Sequence, residues 1–537
     1  MVYHPVNTNS RNFASRNAVN GSILPIMTKP NILVVGAGIN GLVAANYLRR
    51  AGCEVTMVER AETVGGACVS ETADVKGVSQ QYALGASALG LMQDFVFEQT
   101  GLSSRLQTFV PNHAKAVFFP GDKEPTWIHR DPTMLDKELA QKWGERGEVK
   151  AFRADEAAVV RFLQDGYANA RPPSIADANA AIGETLTELW ISGSARNLTD
   201  HYFTSERSKM YMAMTVTESG PVSLDDPYSA FTLPMMDSGS IFDGYYGFVK
   251  GGIWQITAEL GRINDELGIN VHLSSSLVDV DSDAGRASWE QDGQERSADF
   301  DYLVLATDPL TASRLVGDAD QLRKTEAQRF RGSSGKLNVM FKNPIRWKHG
   351  SGHDHSDAAF RFVFSVKDID EYEAATLKVL ETENDYVPGY MQIYCEGAAM
   401  RQLNHNEPFD RLAVFFKNLS LSRKGADLAN VEQQVKGTLF EKIENPEDCV
   451  WTRLLMPKDL QELFLFPGGN LDHTMLTGGQ TYFDRGYSDD PSTAFYRYGG
   501  LENVYVCGSG TYPCGSIAGT PGYMCSQQLL RAAGLKP

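Results

Sequence analysis

Apolar residues follow two rhythms along this chain, and glycines mark where one gives way to the other. Asn31 to Val35 (NILVV) is a short continuous apolar run ended by Gly36, the pattern of a strand buried on both faces of a parallel sheet. A helix is expected from about Asn40 to Arg50, where Gly52 stops it, and a second strand over Glu54 to Val58. Between Gly251 and Leu267, residues Ile253, Ile256, Leu260, Ile263 and Leu267 recur at steps of three and four, a one-faced helix for which Gly268 is the natural stop. Strands over Ile269 to Leu273 and Tyr302 to Leu305 then bracket a meander whose turns fall at Asp283-Ala284-Gly285 and Asp292-Gly293. Near the C-terminus Asn503 to Val506 (NVYV) leads into another glycine turn, and a helix follows from about Gly519 to Leu530.

The first turn has chemistry in it. Gly36, Gly38 and Gly41 spell GxGxxG between strand and helix: the first permits the tight turn, the second lets a pyrophosphate approach the backbone, and the third lets the helix pack close. The helix opening at Ile39 and Asn40 aims its amides and positive dipole end at that pyrophosphate. Alone the motif is weak. Here the second strand ends in Glu59, where a ribose-binding acid belongs, and an acid there disfavours the 2′-phosphate of NADP. Arg60 follows, and then Gly65-Gly66-Ala67, a second diglycine that a nicotinamide site does not need and that resembles the extended signature of flavoproteins. At the other end of the chain, the strand entering Gly508-Ser509-Gly510 offers close backbone approach to a ribityl phosphate. Gly519 and Thr520 open a helix whose amides suit the flavin carbonyl region, where negative charge accumulates on reduction.

From about Asn31 onward the chain resembles the phytoene desaturase-like branch of the FAD-dependent amine oxidoreductases, nearest the pyridine nucleotide-disulphide oxidoreductase domain-containing protein 2 branch. The matching stretches are GAGINGL (36–42), Glu59, Gly65-Gly66, FVKGGIWQI (248–256), ATDP (306–309) and CGSGTYPCGSIAGTPG (507–522). The resemblance implies an α/β fold: a Rossmann-type FAD-binding domain, glutathione-reductase-like with a ββα return, built from 31–104, 248–312 and 491–537. An interleaved α+β substrate domain would come from 105–247 and 313–490. It also implies that backbone near Val278 to Val280 meets adenine and that Ala306-Thr307 lie beside the cofactor. Lys336 (GSSGKLNVMF) resembles a lysine held through water near flavin N5, against the plainer reading of an exposed strand-end lysine. Tyr512-Pro513-Cys514-Gly515 stands where the family has His-Pro-Gly-Gly, so Cys514 is a packing residue, a redox or substrate-facing thiol, or a covalent flavin link. Lys336, Tyr512 and Cys514 are the catalytic candidates on this resemblance, and Ser509 replaces the family's acid near the ribityl chain.

Composition narrows the rest. With 537 residues, 42% hydrophobic and 22% charged, the chain can fill a large core, and a net charge of −17 argues against nucleic acid as a partner. No run of 18 apolar residues exists, which leaves membrane contact peripheral at most. Seven scattered cysteines without CxxC spacing suit a reducing compartment, so a cytoplasmic location is expected, or the mitochondrial matrix if residues 1–30 are a transit peptide rather than a disordered extension. His353 and His355 read as a solvated loop, and no metal is expected. Tyr245, Tyr246, Phe248, Trp254, Tyr482, Phe483 and Tyr496 are candidate cavity walls. The function read from all this is hydride removal by FAD from an apolar or aromatic small organic substrate, of dehydrogenase, desaturase or amine oxidase type, with oxygen or a quinone as electron acceptor. A flavin-dependent isomerase and a flavin-free binding protein of the GDP-dissociation-inhibitor type are the alternatives. Oligomeric state is not legible.

Overall fold

The computed structural model describes residues 29–112, 115–218, 220–381, 389–421 and 425–536, so the proposed N-terminal extension falls almost wholly outside the described residues. A five-stranded parallel sheet runs in the order Val504–Val506, Tyr302–Leu305, Asn31–Val35, Glu54–Val58, Asn270–His272. Its centre is the first apolar run, and its burial on two faces is visible residue by residue. Ile32 and Val34 join one core with Leu42, Val43 and Leu48 of the Ile39–Arg50 helix, whereas Leu33 and Val35 join another with Trp289, Leu303 and Tyr498. That alternation is what a strand between two layers requires.

On one face the Ile39–Arg50 helix packs against the Gln255–Glu266 and Thr520–Ala532 helices. Ile256, Leu260 and Ile263 supply the buried stripe of the middle helix, and Gly268, at φ +76°, donates to Asp265 O to end it. On the other face lies the antiparallel meander Ser275–Asp281, Arg286–Gln291, Gln294–Asp299. Asp292 and Gly293 both adopt positive φ in its last turn, the two-residue hairpin geometry.

A second, seven-stranded mixed sheet is ordered Cys449–Leu455, Gly335–Phe341, Asp410–Phe416, Tyr390–Tyr394, Phe360–Phe364, Lys115–Phe118, Thr126–Ile128. The Gly335–Phe341 strand is buried at every position. Register places Phe362 opposite Gln392, Gln392 opposite Phe415, and Phe415 opposite Lys336, so these four side chains form one row across four strands. Phe360 is opposite Lys115 and, two residues from Phe362, shares its face. Among the described residues no helix is long and apolar enough to cross a membrane.

Candidate functional site

One cavity of about 660 Å³ runs from the glycine-rich turn to the row of side chains on the second sheet. Close backbone approach shapes its floor. A Cβ on Gly41 would fall 2.0 Å from Gly36 O, and one on Gly508 would fall 1.8 Å from Thr307 O, so both turns exist only with glycine there. Glu59, 9% exposed, is pinned by two amides: Oε2 accepts from Ala37 N at 2.7 Å and Oε1 from Ala61 N at 2.8 Å. Further along the wall Ser516 and Ile517 both hold positive φ, which a β-branched side chain rarely adopts, immediately before Gly519 turns into the last helix.

Gly36, Gly38, Ile39, Asn40, Glu59, Arg60, Gly65, Gly66, Ala67, Ala306, Thr307 and Ser509 all line this cavity. Gly41, Gly508, Gly519 and Thr520 stand just behind the lining and set its backbone course. Val278 sits elsewhere: the meander register skips it at a bulge, its side chain is 62% exposed, and Ser275, Ser276 and Leu277 face the cavity instead.

The three residues expected to act in catalysis lie behind the cavity wall rather than on it. Lys336 is fully buried and donates to Ala83 O (2.7 Å), Gly85 O (2.9 Å) and Ala86 O (3.2 Å). All three of its donors are thereby spent, and it clamps the segment whose Leu84 to Ala88 line the cavity. Burial pulls its pKa down to about 7, with Glu396 opposing and Arg411 assisting. Tyr512 is packed among Tyr167, Phe231, Tyr482 and Phe495. Cys514 is 1% exposed, and burial pushes its thiol well above the ordinary range, which keeps it protonated and unreactive.

Of the candidate wall aromatics only Tyr246 lines the cavity; Phe248 stacks on Phe360 at 4.9 Å, Tyr482 and Tyr496 are core, and Phe483 is exposed. The roof is instead Phe360, Phe362, Gln392, Tyr394, Phe415 and Lys417. Lys417, 2% exposed, donates to Ser334 Oγ at 2.9 Å and Glu218 O at 3.1 Å; burial lowers its pKa, opposed by Glu218 and Asp472. Gln392 Nε2 donates to Glu218 Oε1 at 2.6 Å, and Tyr394 OH donates to Gln392 Oε1 at 2.5 Å. His473 also lines the cavity, at φ +65°, and burial takes its pKa down to about 4 although Asp308 lies near. Sequence reasoning missed both; the only signal for Lys417 is a lysine closing an apolar run (AVFFK), and the lone His473 gives none.

Among the described residues, four buried polar atoms of cavity-lining side chains lack a hydrogen-bond partner: Asn40 Oδ1, Ser87 Oγ, Thr215 Oγ1 and His473 Nδ1. Unpaired buried polar groups are costly, and four in one cavity call for a ligand rich in hydrogen-bonding groups. A dinucleotide fits that requirement together with the glycine turns. Among the described residues no group of three His, Cys, Asp or Glu could hold a metal ion; His353 and His355 lie in a turn.

Residues 39–519 match the flavin containing amine oxidoreductases. The chain belongs to that family. A flavin-containing amine oxidoreductase with this cradle is a flavin-dependent oxidoreductase acting on a small organic molecule. The chain is 21% identical over 582 residues to pyridine nucleotide-disulfide oxidoreductase domain-containing protein 2 of Rattus norvegicus, with 94% of each covered. Similarity to hydroxyneurosporene desaturase of Cereibacter sphaeroides is 27% over 304 residues, 54% of this chain and 59% of that one. Cyclohexylamine oxidase from Brevibacterium oxydans superposes with a TM-score of 0.56 at 14% identity, covering 94% of this chain and 99% of that one. Putrescine oxidase bound to putrescine gives 0.56 at 15%, with 94% and 99% covered. These two share the fold.

Proposed function

We propose that the flavin is FAD and that the enzyme removes a hydride from an apolar or aromatic organic molecule, in the manner of a desaturase or an amine oxidase. One observation supports this above the others: the cavity that begins at the dinucleotide turn continues without interruption under an aromatic sheet face. FAD would be held by the Gly36–Gly41 turn at its pyrophosphate, by Glu59 at its ribose, and by Ser509 and the Thr520 helix end along its other half. When bound, the flavin supplies the hydride acceptor.

The chain's own residues supply the rest. Phe360, Phe362 and Phe415 exclude water from the reacting carbon. Lys417 has spent two donors on Glu218 O and Ser334 Oγ, and its third N–H is the group available to hold or pass a proton beside the substrate. Burial lowers its pKa, which makes that proton easier to give up. Reoxidation by oxygen or a quinone completes the cycle. The test is anaerobic mixing of the holoenzyme with a panel of aromatic amines, alkylamines and isoprenoid polyenes. Bleaching of the flavin by a panel member is the expected result. A flavin that dithionite reduces but no panel member does would overturn the reading, and turnover without any acceptor would reassign the enzyme as an isomerase.

A further inference from the structure

The row of roof side chains runs on into Lys336 behind the cavity wall, and on the far strand Lys115 lies opposite Phe360. Lys336, over the cofactor-lining loop, and Lys115, on the far strand, are separated by four strand spacings, about 19 Å. Between them the cavity face is chiefly apolar, with Phe415, Gln392 and Phe362 in one row across three strands and Phe360 two residues along from Phe362. At the far end the character changes. Lys115 and Asp237 both line the cavity and attract one another across it, and the Lys115 ammonium is also near the Tyr211 and Tyr245 hydroxyls. The neighbouring charges are already paired: Arg153 bonds Glu156 at 2.5 Å, and Arg130 lies over the Tyr245 ring at 4.0 Å. Thr215, also on the cavity surface, leaves its hydroxyl unpartnered.

Two opposite charges facing one end of a chiefly apolar cavity reject either charge alone. An anion would pair with Lys115 but face Asp237; a cation would pair with Asp237 but face Lys115. A head group of zero net charge that accepts from the ammonium and donates to the carboxylate satisfies both. We propose, building on the reading of the cavity as a flavin and substrate chamber, that Lys115 and Asp237 form a specificity subsite for an elongated apolar substrate ending in such a group, a carboxamide being the simplest. The reacting carbon would then lie toward the Lys336 end of the roof, and the head group would fix how far the chain is inserted.

Calorimetric titration of the flavin-loaded enzyme with decanamide, decanoate and decylamine tests this without requiring turnover, so it is independent of whether hydride transfer occurs. Decanamide is expected to bind about tenfold tighter than either ion, the penalty of leaving one buried group unsatisfied. Lys115→Met should shift the preference to decylamine, and Asp237→Asn should shift it to decanoate. Equal binding of all three by the wild type, no binding of any, or an unchanged rank order in variants that retain flavin and melt normally would overturn the subsite. Should a variant fail to fold, the wild-type rank order alone decides.

Discussion

The floor of the cavity is shaped by backbone, its roof by side chains drawn from distant strands. In the floor, the decisive features are glycines whose missing Cβ lets one turn lie on another, as Gly508 does on Thr307 O and Gly41 on Gly36 O. In the roof, Phe362, Gln392 and Phe415 are neighbours only because three strands pair in one register. A floor of this kind binds the common part of a cofactor; a roof of this kind can be rewritten one side chain at a time. The contrast predicts that floor mutations abolish cofactor binding and roof mutations change chemistry or selectivity while cofactor binding persists.

The largest effect should come from Gly508→Ala. Its Cβ would collide with Thr307 O, so both turns must shift, costing about 3 kcal/mol and most of the bound flavin. The flavin-to-protein absorbance ratio reads this directly; full occupancy with normal melting would break the comparison. Next is the acid limb of stability. His473 takes up a proton near 6.5 when unfolded but near 4 when folded, so between those values the unfolded chain holds more protons and stability falls as the pH drops. The full loss is on the order of 3 kcal/mol. Melting curves from pH 7 to pH 4 should show a drop that His473→Gln reduces, and parallel curves for the two proteins would remove His473 from the account.

Lys417→Met should keep flavin while slowing its bleaching by substrate about 10²-fold, the usual worth of a positioned proton-transfer group. An unchanged bleaching rate would limit Lys417 to a structural role. The smallest effect is expected at Cys514→Ala: flavin stays acid-releasable as in the wild type, and stability falls by roughly 1 kcal/mol for the buried sulfur lost. Flavin lost or newly released in this variant would place the thiol on the cofactor after all.

The same contrast explains what could be read from the sequence. The glycine turns, Glu59 and the meander are local patterns, and local patterns survive in one dimension. GKLNVMF and FRFVF are apolar runs with no alternation, and nothing in them fixes which strand lies beside which. Lys336 is therefore legible as a strand residue, but nothing in the sequence shows that its ammonium closes on three carbonyls of another segment. Lys417 and His473 leave almost no mark in the sequence because their importance comes from burial and neighbours, not from spacing. Val278 is implied by resemblance alone, and a bulge turns it outward.

The most direct test of the central claim is the visible spectrum of the purified protein, repeated on the supernatant after acid precipitation with the released compound identified by chromatography. An oxidised flavin spectrum is expected, with one FAD per chain recovered in the supernatant. A colourless protein that FAD cannot reconstitute would contradict it, and colour retained in the pellet would contradict its placement of Cys514.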